Sequence, residues 1–230
     1  MDKPPFESLN QMAETTAAAL SQAAASHAFH LFRDKNFRRL AQFDRISQTE
    51  QDRIFNELIV AYLVLIMLMC EAPDLKVSVE FRDCIMGLKK RVPQAYVDNL
   101  RDLGVEAKHL REWEKLIGMR HEEYATDRHD VRAAAMQIKS SEGTLNLDSL
   151  SKIQVLVPVH SAAIGCHHHI CRGETAGKDA LFKLILTSLA KFYFKIRMKI
   201  EGGKISPLKR ARAALKVALD RMDRKEKGSS

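Results

Sequence analysis

The sequence predicts an all-α fold: an antiparallel helical bundle with an Ala-rich N-terminal helix and a basic C-terminal helix. Three observations predict it. Apolar residues recur at helical spacing in segment after segment. Helix starts and stops (Ser47, Gly104, Asp148, Gly202-Gly203) divide the chain into helix-sized pieces. Ten Gly and six Pro in 230 residues exclude a collagen-like or linker-dominated chain. A hydrophobic share of 46% excludes a disordered one, and the length suits one domain with appendages.

Residues 7–33 read as an Ala-rich helix, whose small apolar face either packs closely on a neighbour or stays loosely attached. Residues 34–46 read as a short helix or linker, with Phe37, Leu40 and Phe43 three apart. Ser47 and Glu50 form an expected capping box for a helix running to about Glu71, before Pro73. A helix over 76–91 follows, and Pro93 is expected to open a separate short one, 93–103, ended by Gly104. The most periodic segment is 106–139, with Leu110, Trp113, Ile117, Tyr124 and Val131 on one stripe. After a loop at 140–144, Asp148 is expected to cap a helix to about Cys171, kinked at Pro158. Its Ile153–Val159 stretch is β-branched enough to fit a strand as well. Over 176–200, Leu181, Ile185, Leu189, Phe192, Ile196 and Ile200 form a helical stripe, although the last ten residues also alternate as a strand would. A basic helix over 206–226, with Pro207 in its first turn, completes the chain. The expected organisation is an N-terminal helical arm (1–46), a bundle core (47–200) and a basic tail (201–230).

The chain is expected to be cytoplasmic. Four cysteines in 230 residues are not a disulfide scaffold, and the N-terminus lacks the charge-then-apolar pattern of a secretory signal. The longest apolar run, Leu58 to Cys70, has thirteen residues between Glu57 and Glu71, short of the roughly twenty of a spanning helix. The formal charge of +8 is uneven. Residues 181–230 hold fourteen Lys/Arg and four Asp/Glu, a net of +10, so the remainder sums to −2.

Three constellations could carry chemistry. His160, His167 and Cys171 fall on one helical face at i, i+7 and i+11. Imidazole and thiolate are ligands for a transition metal such as zinc, and a polar, His-rich helix end is the plainer reading. The ferritin-like di-metal pattern, suggested by Glu57 and Glu114, requires a Glu-x-x-His pair on each of two helices, and the sequence does not carry two. On the long helix, Arg120 lies beside the buried stripe, between Ile117 and Tyr124. A guanidinium there needs an acceptor, either a carboxylate of this protein or a partner's phosphate. His121 and His129 share a neighbouring face. Finally, Lys191, Lys195, Arg197 and Lys199 lead into Lys204, Lys209, Arg210, Arg212 and Lys216, a positive ridge suited to RNA or another polyanion. The plainer alternative is a solvated helix face.

The segment Leu116-Ile117-Gly118-Met119-Arg120-His121-Glu122-Glu123-Tyr124-Ala125-Thr126-Asp127 resembles the signature of HEPN domains, small helical bundles of toxins, phage-defence proteins and RNases. Their pattern is an Arg, usually with a polar residue after it, then four to six residues and a His often preceded by Ala. Arg120 and Ala125 match, whereas Thr126 stands where the His belongs and the next imidazole is His129. The resemblance implies RNA or nucleotide binding, a catalytic role for Arg120 with His121 or His129 in place of the missing His, and a homodimer whose interface holds the site. The competing readings are a non-enzymatic helical interaction or scaffold protein and a metal-binding bundle.

Overall fold

The computed structural model describes residues 9–202, and every regular element among them is helical. The order is α1 (Leu9–Arg33), α2 (Lys35–Leu40), α3 (Gln48–Cys70), a single 3-10 turn (Val79–Phe81), α4 (Arg82–Asp102), α5 (Ala107–Ser141), α6 (Leu147–Ile170) and α7 (Asp179–Ile200). They pack as a bundle around α3, which touches α1, α4, α5, α6 and α7. The expected helix 206–226 lies outside the described residues.

The central position of α3 follows from its composition. Every residue from Glu57 to Cys70 is buried, so this part of the helix has no solvent face. It is long and apolar enough to cross a membrane by length and composition, and the surrounding helices cover 83% of its apolar window. Ser47 caps it as expected, its Oγ accepting from the Glu50 N–H at 3.2 Å. The return half of the expected capping box does not form, because the Glu50 carboxylate instead binds Arg53 and Arg172.

Of the expected arm, the described residues 9–46 pack as a layer of the bundle. α1 lies along α4 and α3, and Ala13, Ala17, Ala24 and Ala28 are almost fully buried. Their small side chains let the helix axes approach closely, which is the tight-packing alternative for this segment. The expected break at Pro93 is absent. α4 runs through Pro93 without interruption, anchored on both sides of it by buried Leu88, Val92, Tyr96 and Val97. Tertiary burial outweighs the roughly 3 kcal/mol of an interior proline. Helix formation also begins later than expected, at Arg82, after the 3-10 turn.

α6 likewise continues through Pro158. Its cap is Asn146, not Asp148: Asn146 Oδ1 accepts from the Ser149 N–H at 2.9 Å, and Ser149 Oγ accepts from the Asn146 N–H at 2.8 Å. The strand-like run Ile153–Val159 is helical and almost wholly buried between neighbours, which is why its apolar pattern shows no clear face. α7 resolves the other ambiguity as helix, with Phe192, Tyr193 and Phe194 all buried. Arg197, which the sequence places with the basic residues leading into the tail, is only 2% exposed. Its guanidinium donates to Asp74 Oδ2 (2.7 Å), the Asp74 carbonyl (2.9 Å), Glu201 Oε1 (3.1 Å) and the Tyr193 hydroxyl (2.7 Å). It ties α7 to the α3–α4 connection and is unavailable to a polyanion.

α5 and α6 pack closely at Gly165, where a Cβ would run into the Tyr124 ring. Beside it, Ser161 Oγ donates to the Tyr124 carbonyl at 2.5 Å. Gly165→Ala therefore destabilises the fold by about 1–3 kcal/mol, read as a lower urea midpoint, because the fully buried ring has nowhere to move. An unchanged midpoint would show that α5 and α6 can separate at no cost.

Candidate functional site

Arg120 projects from α5 between buried Ile117 and Tyr124. Its Nε donates to Glu57 Oε2 at 3.0 Å and one Nη to Glu57 Oε1 at 2.7 Å, a bidentate pair across α5 and α3. The other Nη donates to Glu123 Oε2 at 3.3 Å. The acceptor required at this position is thus a carboxylate of the protein itself. Glu57 is only 5% exposed, and burying a carboxylate that deep is costly unless it is paired and hydrogen-bonded.

The network extends outward. Glu123 also accepts from His169 Nε2, at 2.6 and 2.9 Å to its two oxygens. The His169 ring stacks on Tyr124, with centroids 6.4 Å apart and planes 24° apart. A chain Glu57–Arg120–Glu123–His169 therefore links α3, α5 and α6 from the core to the surface. Beneath it lie Tyr124 and Cys166. Burial first, and the Glu57 charge after it, pushes the Cys166 thiol well up, so it is neutral and unreactive. The Tyr124 phenol is likewise raised by burial, and its hydroxyl has no partner.

A second cluster surrounds Glu71, the C-cap of α3. It accepts from His121 Nε2 at 2.9 Å and pairs with Lys89 Nζ at 2.6 Å and Arg128 Nη2 at 2.8 Å. The His121 hydrogen bond leads the causes that lower the Glu71 carboxyl from 4.5 to about 2, with Lys89 and Arg128 adding to it. Neighbouring residues Arg120 and His121 thus reach carboxylates on α3 that are fourteen positions apart, about 21 Å along the axis.

The structure does not bring together the residues expected to act as one catalytic site. His129 is exposed, nine residues along α5 from Arg120, about 13.5 Å by helical rise. Thr126, at the position of the family's His, donates its hydroxyl to the Glu122 carbonyl of its own helix at 2.9 Å. The imidazole nearest the Arg120 network is His169, which the sequence offered only as one of three adjacent histidines. Glu123 belongs to the charged stretch around Arg120, whose plainer reading is an ion-pair network within the protein, and it is part of one. Glu57 carried the stronger signal, a lone carboxylate opening an apolar run.

The structure does not bring His160, His167 and Cys171 together as a set of metal ligands. Among the described residues, no three His, Cys, Asp or Glu side chains are grouped to hold a metal ion. His160 and His167 stand two turns apart, whereas paired helical ligands use one-turn spacing. Burial favours their neutral imidazoles, and each has an enclosed Nε2 without a partner. Burial also raises the Cys171 thiol, disfavouring the thiolate that a metal requires. Lys204, Lys209, Arg210, Arg212 and Lys216 lie outside the described residues. Comparison with protein-family models, curated proteins and solved structures finds no match.

Chemically, the arrangement neutralises buried charge and locks helices together. Arg120→Met leaves Glu57 buried without its counterion and destabilises the protein by about 3–5 kcal/mol in urea titration. The double variant Glu57→Leu/Arg120→Met is less destabilised than Arg120→Met alone; equal or greater loss would show that the pair is not the source. The Glu71 carboxyl is depressed when folded, so its contribution is complete above the ordinary 4.5 and is lost as pH falls toward about 2. Glu71→Gln accordingly flattens the fall of the urea midpoint between about pH 4.5 and pH 2 relative to wild type.

Proposed function

We propose that this protein is a non-enzymatic helical interaction module that binds RNA or another polyanion through its basic C-terminal segment. The observation that carries the reading is the commitment of Arg120. Its guanidinium is chelated by Glu57 and shared with Glu123, so the group that would hold a scissile phosphate already serves the fold. With Arg197 also buried, cationic side chains for a polyanion must come from elsewhere. Residues 203–230 supply nine Lys/Arg against three Asp/Glu. Charge alone gives affinity without base selectivity, so binding is salt-dependent and tolerant of sequence.

A second reading, the HEPN-like ribonuclease, is favoured by one contact: His169 on Glu123, which also accepts from Arg120. In that reading His169 on α6 replaces the missing imidazole of α5 and acts as acid or base.

Anisotropy of a labelled single-stranded RNA separates the two. Replacing Lys209, Arg210, Arg212 and Lys216 with Gln is expected to flatten the slope of log affinity against log salt by about 3. Ending the chain at residue 202 removes most binding. If affinity and slope stay at wild-type values in both, the interaction reading fails. RNA cleavage that disappears in His169→Ala would replace it with the ribonuclease reading.

A further inference from the structure

We infer that residues 206–222 dock as an amphipathic helix across the end of the bundle at which α3 stops, against exposed apolar side chains of the α5–α6 hairpin and the start of α4. The inference goes beyond the polyanion reading and does not depend on it. Lys89 of α4 and Arg128 of α5 both pair with Glu71, the C-cap of α3, at 2.6 and 2.8 Å. Residues 79–88 therefore belong to the excursion that the chain makes between leaving Glu71 and returning to it. α5 runs along α3 in the same direction, from Arg120 at Glu57 to Arg128 at Glu71. Its residues 129–141 thus continue past the end of α3 for about 20 Å.

Apolar surface is concentrated at that end. Of the ten large apolar side chains exposed among the described residues, Val79, Phe81 and Met86 belong to the excursion, and Ile138, Leu145 and Leu147 to the hairpin. The other four are scattered over α1, the α4–α5 connection, α5 and α6, as single exposed apolar residues normally are. Val79 and Leu147 are 83% and 84% exposed, so nothing described covers them. Apolar side chains grouped in this way mark an interaction surface.

The chain itself supplies the occupant. α7 ends at the same place: Arg197 pairs with Asp74 at 2.7 Å, and Glu201 accepts from the Lys76 N–H at 2.9 Å. From there 28 residues, 203–230, follow. On the helix expected over 206–226, Leu208, Ala211, Leu215, Ala218, Leu219 and Met222 fall within about 100° of one another. A stripe of that width faces a core in a globular protein. Lys209, Arg210, Lys216, Arg221 and Arg224 lie off it. Residues 206–222 span about 25 Å as a helix, against roughly 8–10 Å between packed helices, so they are long enough to cross the end of the bundle. Attachment at Gly202 gives the segment a local concentration of about millimolar, which an untethered partner must exceed. With the stripe turned inward, the basic side chains face water, where a polyanion can reach them.

A nitroxide on Ala213→Cys, on the side of the expected helix opposite the stripe, tests this in the ¹⁵N-labelled full chain. The four native cysteines are buried, so the label goes to the new one. Amides of residues 79–88 and 138–148 are expected to lose signal. Those of α2 and the α6–α7 connection, at the other end of the bundle beside Glu50, keep it. Adding Leu215→Asp and Leu219→Asp restores the signal of both segments. Leu147→Asp, a change at a solvent-exposed position, restores that of the hairpin. Three results overturn the inference: signal loss that is absent or centred elsewhere, loss that survives either set of substitutions, and loss in ¹⁵N-labelled chain without nitroxide when it is mixed with nitroxide-bearing chain of natural isotope content. The last would make the occupant the tail of a second copy.

Discussion

Glu57 opens a stretch of α3 that is buried on all sides down to Cys70, and burying a carboxylate there is costly unless it is paired and hydrogen-bonded. Arg120 meets that demand with two parallel hydrogen bonds, the strongest geometry a guanidinium offers. The pair fixes more than charge. It sets where α5 sits along α3 and which face of α5 turns inward. With Arg120 aimed at Glu57, Glu123 falls one turn further on, within reach of His169. α6 is thereby attached to α5 at the same level. A buried pair of this kind contributes little net stability against an apolar replacement, and its effect is on register.

The same device recurs along α3. Glu50, Glu57 and Glu71 are separated by multiples of seven, so they drift by only about 60° and form one stripe down the central helix. Each is met by hydrogen-bond donors from elsewhere in the chain. Glu50 takes Arg172 from the α6–α7 connection, Glu57 takes Arg120, and Glu71 takes Lys89 from α4 together with His121 and Arg128 from α5. A stretch of helix with no solvent face offers no amphipathic pattern to orient its neighbours. The stripe supplies the orientation that apolar packing alone would leave degenerate.

Local physics explains which features could be read from the chain. Helical periodicity predicted most of the elements, and the position of Arg120 between Ile117 and Tyr124 predicted that it needs an acceptor. Which acceptor could not be read, because Glu57 is 63 residues away and only packing brings it near. His169 was one of three adjacent histidines, and nothing local distinguishes the one that faces α5. Pro93 misled because a helix boundary was inferred from one lost hydrogen bond, while buried Val92, Tyr96 and Val97 hold the helix through it. Arg197 misled in the opposite sense. Position-blind charge assigned it to a basic face, yet Asp74 and Glu201 draw it into the interior.

These energetics also locate where ligand chemistry can enter. For a phosphate to capture Arg120, Glu57 must be left buried and uncompensated, at a cost of about 3–5 kcal/mol. The charge-assisted hydrogen bonds gained in exchange return about 1.5–3 kcal/mol each, before the ligand's own desolvation and ordering. The exchange is close to balanced at best, so the core pair resists recruitment. The Glu50–Arg172 pair is different. The Arg172 side chain is 67% exposed, and exposed pairs of this kind contribute about 0.2–1 kcal/mol. Rearranging it costs little. The ionic network is therefore rigid where it is buried and adaptable at its surface end.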